Sequence, residues 1–169
     1  MTPFHIIGHA GCGKTTLIAD LVRLFVEKGI RVGSMKHSSH VHELDKPGKD
    51  SHCHRQAGAV PVSMVTQTMS AVYLPRTQEY TPQKLLDIFY AHVDIVLIEG
   101  WISGPYDKIE VWRKTMGRPP LFSSVKQVKA LVSDDSLSTA DTSCVANQKI
   151  SCFQRSDLSG IMAYLLALT

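Results

Sequence analysis

The sequence predicts an α/β fold in which a mostly parallel sheet carries helices on both faces. Short apolar runs alternate along the chain with segments whose apolar residues recur at helical spacing, an order typical of parallel sheets. Residues 94–100 are apolar almost throughout, as expected for a central strand that is covered on both faces. With 44% hydrophobic and 20% charged residues, the 169-residue chain also has the composition of a folded globular protein. We therefore expect one domain over residues 1–169, with an irregular or partner-facing excursion around residues 101–127.

The first predicted unit is a strand, a helix and a second strand. Residues 4–7 form a short apolar run that ends at Gly8, which predicts a buried strand. Between residues 14 and 28 the apolar side chains share one helical face, and Gly29 follows as a helix C-cap. Residues 30–35 predict the second strand. The two strands are expected to be parallel, with a right-handed crossover through the helix.

Further strands and helices are predicted along the rest of the chain. Thr81 is a predicted helix cap, since Pro82 follows it in the first turn. Asp157 is predicted to cap a last helix that ends near Leu168. The other predicted elements are a short helix at 50–57 and strands at 60–65, 71–74, 94–100, 108–113, 128–132 and 149–153.

Charge and cysteine content exclude several classes of protein. The chain has 18 Lys and Arg against 15 Asp and Glu, and this formal charge of +3 is too small to indicate nucleic-acid or membrane binding. The 4 cysteines form no CxxC pair and are too sparse for a disulfide scaffold. No signal-peptide pattern is visible, and no apolar run approaches the ~18 residues of a membrane span. We therefore expect a cytoplasmic protein.

Residues 8–15 fit the phosphate-binding pattern GxxxxGK[ST], which follows a predicted strand and opens a predicted helix. In such a loop, successive backbone N–H groups and the helix dipole bind phosphate. Lys14 is predicted to reach the β- and γ-phosphates, and the Thr15 hydroxyl to coordinate Mg²⁺. This context predicts a P-loop NTPase fold. The predicted nucleotide-binding residues of the loop are Gly8, His9, Ala10, Gly11, Cys12, Gly13, Lys14, Thr15 and Thr16.

A second acid is needed beside the magnesium ion, at the end of a central strand. Glu99 lies at the carboxyl end of the predicted strand 94–100, directly before Gly100. Ligands bind at the carboxyl ends of parallel strands. Asp94 opens the same run, so it is expected at the far edge of the sheet. We therefore predict Lys14, Thr15 and Glu99 as the catalytic residues, and Thr15 and Glu99 as the groups that face the metal.

The polar segment 37–54 comes shortly after the second predicted strand, so its start is expected on the phosphate side of the sheet. His37 lies at this start, and Asp45 is a further candidate for the Mg²⁺ shell. Lys46 and Lys49, with Lys36, are candidates for binding an anionic ligand.

With these motifs in place, the chain resembles the molybdopterin-guanine dinucleotide biosynthesis protein B family of small P-loop GTPases. The most specific matching segment is Asp-Lys-Pro-Gly-Lys-Asp-Ser at 45–51. Order and spacing agree over roughly the first 113 residues, and the likeness thins beyond them. The other matching segments are 8–17, 36–37, Arg55, 57–59, 97–100 and 108–111.

The resemblance implies a GTP-binding protein with weak intrinsic hydrolysis, which acts as a homodimer. It would assist a separate molybdopterin guanylyltransferase that joins GMP to molybdopterin. Molybdopterin is itself a candidate ligand, and Lys46 and Lys49 would suit its phosphate. The family's nucleotide roles carry over to Gly8, Gly13, Lys14, Thr15, Thr16 and Glu99. Its loop residues map onto His37, Asp45, Lys46, Lys49 and Asp50, which are carried as candidates for cofactor binding.

The chain departs from related GTPases at two points. His9 and Ala10 stand where related dimeric GTPases often carry a second lysine, and no Asn-Lys-x-Asp sequence for guanine is present. The segment Ser133-Asp134-Asp135, after a late predicted strand, is the predicted substitute, with Asp134 as the candidate residue. A carboxylate accepts two N–H bonds from guanine, and adenine offers no matching pair. No arginine finger or water-positioning Gln follows the phosphate loop, so slow hydrolysis is expected.

Three other readings stay open. A nickel or zinc metallochaperone GTPase would use the density of imidazole and thiol groups in the loop 37–54. A non-catalytic adapter would use nucleotide binding to order the same loop. A small-molecule kinase would need an Arg-rich lid, for which Arg113, Lys114 and Arg118 are the candidates. The metal-ligand candidates are His37, His40, His42, His52, Cys53 and His54.

Overall fold

A computed structural model describes residues 1–77 and 79–169 and divides them into two compact units. One unit holds Met1–Ser38 and His92–Thr169, and the other holds Ser39–Ala91. The expectation of a single domain over residues 1–169 stays a prediction. In chain order the elements are β1 (Thr2–Ile7), α1 (Lys14–Glu27), β2 (Val32–Lys36), α2 (Asp50–Gln56), β3 (Val62–Val65), β4 (Ser70–Tyr73), α3 (Pro82–Phe89), β5 (Ile95–Glu99), β6 (Lys108–Val111), β7 (Val128–Val132), α4 (Thr139–Gln148), β8 (Ser151–Phe153) and α5 (Leu158–Ala167).

The larger unit is built on a six-stranded sheet with the order β2-β5-β1-β6-β7-β8. Every neighbouring pair in this sheet is parallel. The strand β1 lies between β5 and β6, with Phe4 opposite Leu97 and Ile7 opposite Glu110. The predicted mostly parallel sheet is therefore confirmed.

Side chains that alternate along β1 divide the core into two layers. Phe4 and Ile6 pack with Leu17 and Leu21 of α1 in one buried cluster, which also includes residues of α5. Burying each of these leucines fully contributes about 1.5–3 kcal/mol. Ile7 points to the other face, where a second cluster includes residues of α4. The predicted helices on both faces are confirmed.

The smaller unit contains the antiparallel hairpin β3-β4, in which Val62 pairs with Tyr73. Its helix α3 begins at the predicted cap, because the Thr81 hydroxyl accepts a hydrogen bond from the Lys84 backbone N–H at 3.3 Å. The Arg55 guanidinium lies over the Tyr73 ring at 5.3 Å.

The stretch 101–127 is divided by a strand. The segment 101–107 joins β5 to β6, β6 occupies the middle of the stretch, and a longer irregular segment leads on to β7. Both segments therefore start at carboxyl ends of sheet strands, which is the edge where the phosphate loop also begins. No helix in the described part of the chain has the length and apolarity that crossing a membrane requires.

Candidate nucleotide-binding site

The phosphate loop connects β1 to α1 and contains three glycines in left-handed or extended positive-φ conformations. Gly8, Gly11 and Gly13 have φ angles of 142°, 79° and 100°. A Cβ atom on Gly8 would lie 2.2 Å from the Val111 carbonyl oxygen, so the loop packs directly on the end of β6. No side chain is accommodated there, which fixes glycine at the first position of the motif.

Lys14 opens α1, and its ammonium group is held over the loop. Lys14 Nζ donates to the Gly8 carbonyl oxygen at 2.9 Å and to the His9 carbonyl oxygen at 2.7 Å. Cys12 is buried beside it, with Sγ 3.8 Å from Lys14 Nζ, so it fills space inside the loop. The exposed residues of the motif are Ala10, Gly11, Thr15 and Thr16.

Thr15, in the first turn of α1, and Glu99, at the end of β5, are far apart in sequence but lie together. Thr15 Oγ1 donates to Glu99 Oε1 at 3.0 Å, and Lys36 Nζ lies 3.1 Å from the same carboxylate oxygen. Hydroxyl and carboxylate oxygens are the hard ligands that Mg²⁺ prefers. The two residues predicted to face the metal therefore fit a magnesium ion, with the Lys36 charge balancing the carboxylate.

The backbone after Glu99 makes a tight turn held by aromatic rings. Trp101 adopts a φ of 57°, and its ring stacks on the His37 ring at 5.3 Å with an interplanar angle of 16°. The buried His5 ring makes a T-shaped contact with the Trp101 ring, with centroids 5.2 Å apart. Burial, and then the charge of Lys108, lower the pKa of His5 to about 4, so this imidazole is neutral near pH 7. His37, a predicted cofactor-binding residue, therefore supports the turn that carries Glu99.

A cavity of about 290 Å³ lies at the carboxyl ends of β6, β7 and β8. Asp134 accepts a hydrogen bond from the Arg155 backbone N–H at 2.8 Å, and Asp135 accepts one from the Lys114 backbone N–H at 2.8 Å. These bonds orient both carboxylates, and the described residues donate no hydrogen bond to the other oxygen of either. The lining residues are Val111, Trp112, Arg113, Thr115, Val132, Ser133, Asp134, Asp135 and Arg155.

Residues 113–122, which we call the strap, run from β6 back over the phosphate loop. His9 Nε2 lies 3.0 Å from the Pro119 carbonyl oxygen, so the tautomer protonated at Nε2 donates a hydrogen bond. The buried Glu110 carboxylate holds the far end of the strap, because it accepts backbone N–H bonds from Leu121 at 2.6 Å and Phe122 at 2.9 Å. Burial raises the pKa of Glu110 to about 7, although these two hydrogen bonds act in the opposite direction.

This raised pKa predicts a pH-dependent stability. The pKa of this carboxyl group is higher in the folded protein than its unfolded value of 4.5, so the folded protein binds the proton more tightly. The stabilising contribution is therefore fully present below pH 4.5 and is lost as the pH rises towards 7. In the wild-type protein the free energy of unfolding should fall by up to about 3 kcal/mol between these pH values, and in Glu110→Gln this fall should be absent. Urea unfolding of both proteins from pH 4.5 to 7.5 measures the difference, and parallel pH profiles would contradict the assignment.

The predicted loop residues of the smaller unit form a structured turn before α2. The Asp45 carboxylate accepts hydrogen bonds from the Lys46 backbone N–H at 2.8 Å and from Ser51 Oγ at 3.0 Å, and it lies 3.4 Å from Arg55 Nε. Burial would raise the pKa of Asp45, but these hydrogen bonds and the Arg55 charge outweigh it and hold the pKa below its usual value. Lys46 and Lys49 are exposed. Asp45 therefore has an architectural role within its own unit, and its place in the Mg²⁺ shell stays a prediction.

The histidines of the loop 37–54 do not converge on a metal site. Among residues 1–77 and 79–169, no three His, Cys, Asp or Glu side chains are grouped so that they could hold a metal ion. The His40 and His42 rings lie 6.3 Å apart, and His52 Nδ1 accepts from the Gly48 backbone N–H at 3.4 Å. No observation thus favours the metallochaperone reading.

Two residues of the site were not predicted as nucleotide ligands. Arg113 and Arg155 line the cavity together with Asp135, which belongs to the segment 133–135 predicted for guanine, and the sequence indicated Arg113 only for a kinase lid. Arg113 ends the predicted strand 108–113 and Arg155 follows the predicted strand 149–153. Ligands bind at the carboxyl ends of parallel strands, so this rule points to both residues, although not to their distances.

Comparisons with known proteins identify relatives of this chain. The family model described as molybdopterin guanine dinucleotide synthesis protein B matches residues 4–134. The molybdopterin-guanine dinucleotide biosynthesis adapter protein of Escherichia coli (strain K12) is 35% identical over 129 residues, which are 74% of this chain and 74% of that protein. A protein of the same name from Haemophilus influenzae is 34% identical over 115 residues, which are 68% of this chain and 65% of that protein.

Solved structures share the fold. The crystal structure of Bacillus subtilis MobB aligns with a TM-score of 0.72 and 20% identity, and the alignment covers 99% of this chain and 97% of that one. A crystal structure of molybdopterin-guanine biosynthesis protein B aligns with a TM-score of 0.73 and 21% identity over 99% of both chains. At this level of identity the likeness establishes the fold alone.

Proposed function

The chain belongs to the molybdopterin guanine dinucleotide synthesis protein B family, and from this premise we propose that it binds GTP with Mg²⁺, hydrolyses it slowly and acts as an adapter in molybdopterin guanine dinucleotide formation. Its partner would be a molybdopterin guanylyltransferase in the cytoplasm. The protein would act as a homodimer, and molybdopterin would be a further ligand. The two proteins named as adapters, from Escherichia coli and Haemophilus influenzae, support the adapter role.

The observation that carries this proposal is the contact between Thr15 Oγ1 and Glu99 Oε1, which lie 3.0 Å apart at the end of the phosphate loop that Lys14 also belongs to. In the proposed complex the backbone N–H groups of the phosphate loop and Lys14 bind the phosphates. Thr15 and Glu99 would hold Mg²⁺, which supplies charge neutralisation of the β- and γ-phosphates when bound. Glu99 is engaged by Thr15 and Lys36, so it holds charge and does not act as a general base for water. Slow hydrolysis follows from this arrangement.

The cavity at the ends of β6, β7 and β8 supports the choice of guanine. Its volume of about 290 Å³ is close to the lower limit of ~300 Å³ for small-ligand pockets, so it suits a base and not a larger group. Asp134 and Asp135 each present a carboxylate oxygen that receives no hydrogen bond from the described residues. The N1–H and 2-amino groups of guanine are adjacent donors that fit one carboxylate, whereas adenine at that edge offers an acceptor.

Titration calorimetry with Mg²⁺ tests the nucleotide assignment. We expect GTP to bind at least about tenfold more tightly than ATP, because adenine would leave a carboxylate acceptor unpaired. Asp134→Asn or Asp135→Asn should reduce this ratio and leave the affinity for inorganic tripolyphosphate unchanged. Equal binding of GTP and ATP by the wild-type protein would contradict the guanine claim.

Gel filtration with a purified molybdopterin guanylyltransferase tests the adapter role. A complex that forms with this chain would support the proposal. Two separate peaks, both with and without GTP and Mg²⁺, would contradict it.

A further inference from the structure

The guanidinium group of Arg113 lies flat against the phosphate loop. Its Nη2, Cζ and Nε atoms are 3.3, 3.7 and 3.8 Å from the position that a Cβ atom on Gly13 would occupy. Arg113 also lines the cavity that we assign to the base. This side chain therefore lies where the cavity and the phosphate loop meet.

The charge of Arg113 is unbalanced by its protein surroundings. None of the ion pairs among the described residues includes Arg113, although the cavity contains two aspartates. Its neighbour at the loop is Gly13, the N-cap of α1, and this N-terminus carries the positive end of the helix dipole. The guanidinium and the positive end of the helix dipole therefore lie together, and this arrangement favours an anion beside them.

The backbone on both sides of Arg113 is fixed. The Trp112 backbone N–H donates to the Val132 carbonyl oxygen at 3.1 Å, and the buried Trp112 ring donates through Nε1 to the Arg118 carbonyl oxygen at 2.9 Å. On the other side, the Lys114 backbone N–H donates to Asp135 at 2.8 Å. The guanidinium is thus presented from a rigid position, which lowers the entropic cost of binding.

The order of strands decides which phosphate Arg113 faces. Glu99 ends β5 and Arg113 follows β6, and these strands lie on opposite sides of β1, from which the phosphate loop emerges. The site proposed for Mg²⁺ and the β- and γ-phosphates is on the β5 side. Arg113 is on the other side, next to the cavity assigned to the base. A nucleotide that extends across the loop would place its nucleoside on this side.

We propose that Arg113 binds the nucleoside-proximal phosphate of the bound guanine nucleotide. The planar guanidinium, with its several N–H donors, suits a phosphate group at this position. This inference rests on the proposed function, since it requires a nucleotide at the phosphate loop. It assigns Arg113 to binding and gives it no part in cleavage of the terminal phosphate.

The test compares Arg113→Ala with Arg113→Lys and with Arg118→Ala, which removes an exposed arginine from the same strap. Calorimetry gives the affinities for GTP, GDP and inorganic tripolyphosphate, and single-turnover assays give the hydrolysis rate of bound GTP. We expect Arg113→Ala to weaken all three ligands by a similar factor of about tenfold or more. Arg113→Lys should recover part of this loss, the hydrolysis rate should stay unchanged, and Arg118→Ala should bind like the wild type.

Several results would overturn the proposal. A loss for GTP but not GDP, with slower hydrolysis, would place Arg113 at the terminal phosphate. A loss for both nucleotides but not for tripolyphosphate would place it on the base. Wild-type affinities in Arg113→Ala would overturn this inference alone, whereas a wild-type protein that binds no GTP would overturn the proposed function as well.

Discussion

Replacing Lys14 with alanine is expected to weaken GTP binding severely. The Lys14 ammonium group lies over the phosphate loop, 2.9 and 2.7 Å from the carbonyl oxygens of Gly8 and His9, and it is the residue of the motif that carries a full positive charge. Charge-assisted hydrogen bonds each contribute about 1.5–3 kcal/mol, and this lysine would make more than one to the phosphates. We therefore expect the affinity to fall by about 100-fold or more, measured by calorimetry with Mg²⁺.

A control separates loss of charge from loss of folding. Lys28→Ala removes an exposed lysine that follows the other end of α1, and it should bind GTP like the wild type. Urea unfolding without nucleotide should show that Lys14→Ala is folded, although it loses two hydrogen bonds to the loop. A folded Lys14→Ala protein that binds GTP within threefold of the wild type would contradict the assignment of the phosphate site.

The sequence was sufficient to predict that Thr15 and Glu99 would meet. Thr15 follows a strand through a loop of known pattern, Glu99 ends an apolar run, and carboxyl ends of parallel strands share one edge of a sheet. What the sequence could not provide is the strand order, which places β5 directly beside β1. The 3.0 Å contact is a consequence of that order.

The helix α4 was missed because its apolar spacing is weak. No residue of α4 is buried, and polar or β-branched residues such as Thr142 and Ser143 occupy much of it. One local signal was available at its start, where the Ser138 hydroxyl accepts a hydrogen bond from the Asp141 backbone N–H at 3.1 Å. A serine followed three residues later by an acid is a recognised helix start.

The conformation of the strap, and with it the position of Arg113, could not be predicted from the sequence. Residues 113–122 have little periodicity, and their conformation is set by contacts with distant parts of the chain. Glu110 holds Leu121, His9 contacts Pro119, and Asp135 holds Lys114, over separations of 11, 110 and 21 residues. Local propensity carries no information about such pairs, and the position of Arg113 depends on them.

The hydroxyl of Thr15 and the carboxylate of Glu99 should account for the effect of magnesium on GTP affinity. We expect chelation of Mg²⁺ to weaken GTP binding to the wild-type protein by more than about tenfold, because the metal neutralises phosphate charge. In Thr15→Ala the affinity with Mg²⁺ should fall to nearly the chelated wild-type value, and chelation should then have little further effect. Calorimetry with Mg²⁺ and with a chelator gives the four affinities.

Glu99→Gln extends the same test, because it keeps the size of the side chain and removes the charge that Lys36 balances at 3.1 Å. If both residues hold one ion, each single variant should already lose most of the magnesium effect. The double variant Thr15→Ala/Glu99→Gln should then lose no more than either single variant, because effects on one shared site are not additive. Glu27→Gln, at the exposed end of α1, is the matched control and should keep the wild-type magnesium dependence. A full magnesium effect in both Thr15→Ala and Glu99→Gln would show that the metal is held elsewhere, and the contact between the start of α1 and the end of β5 would then be structural.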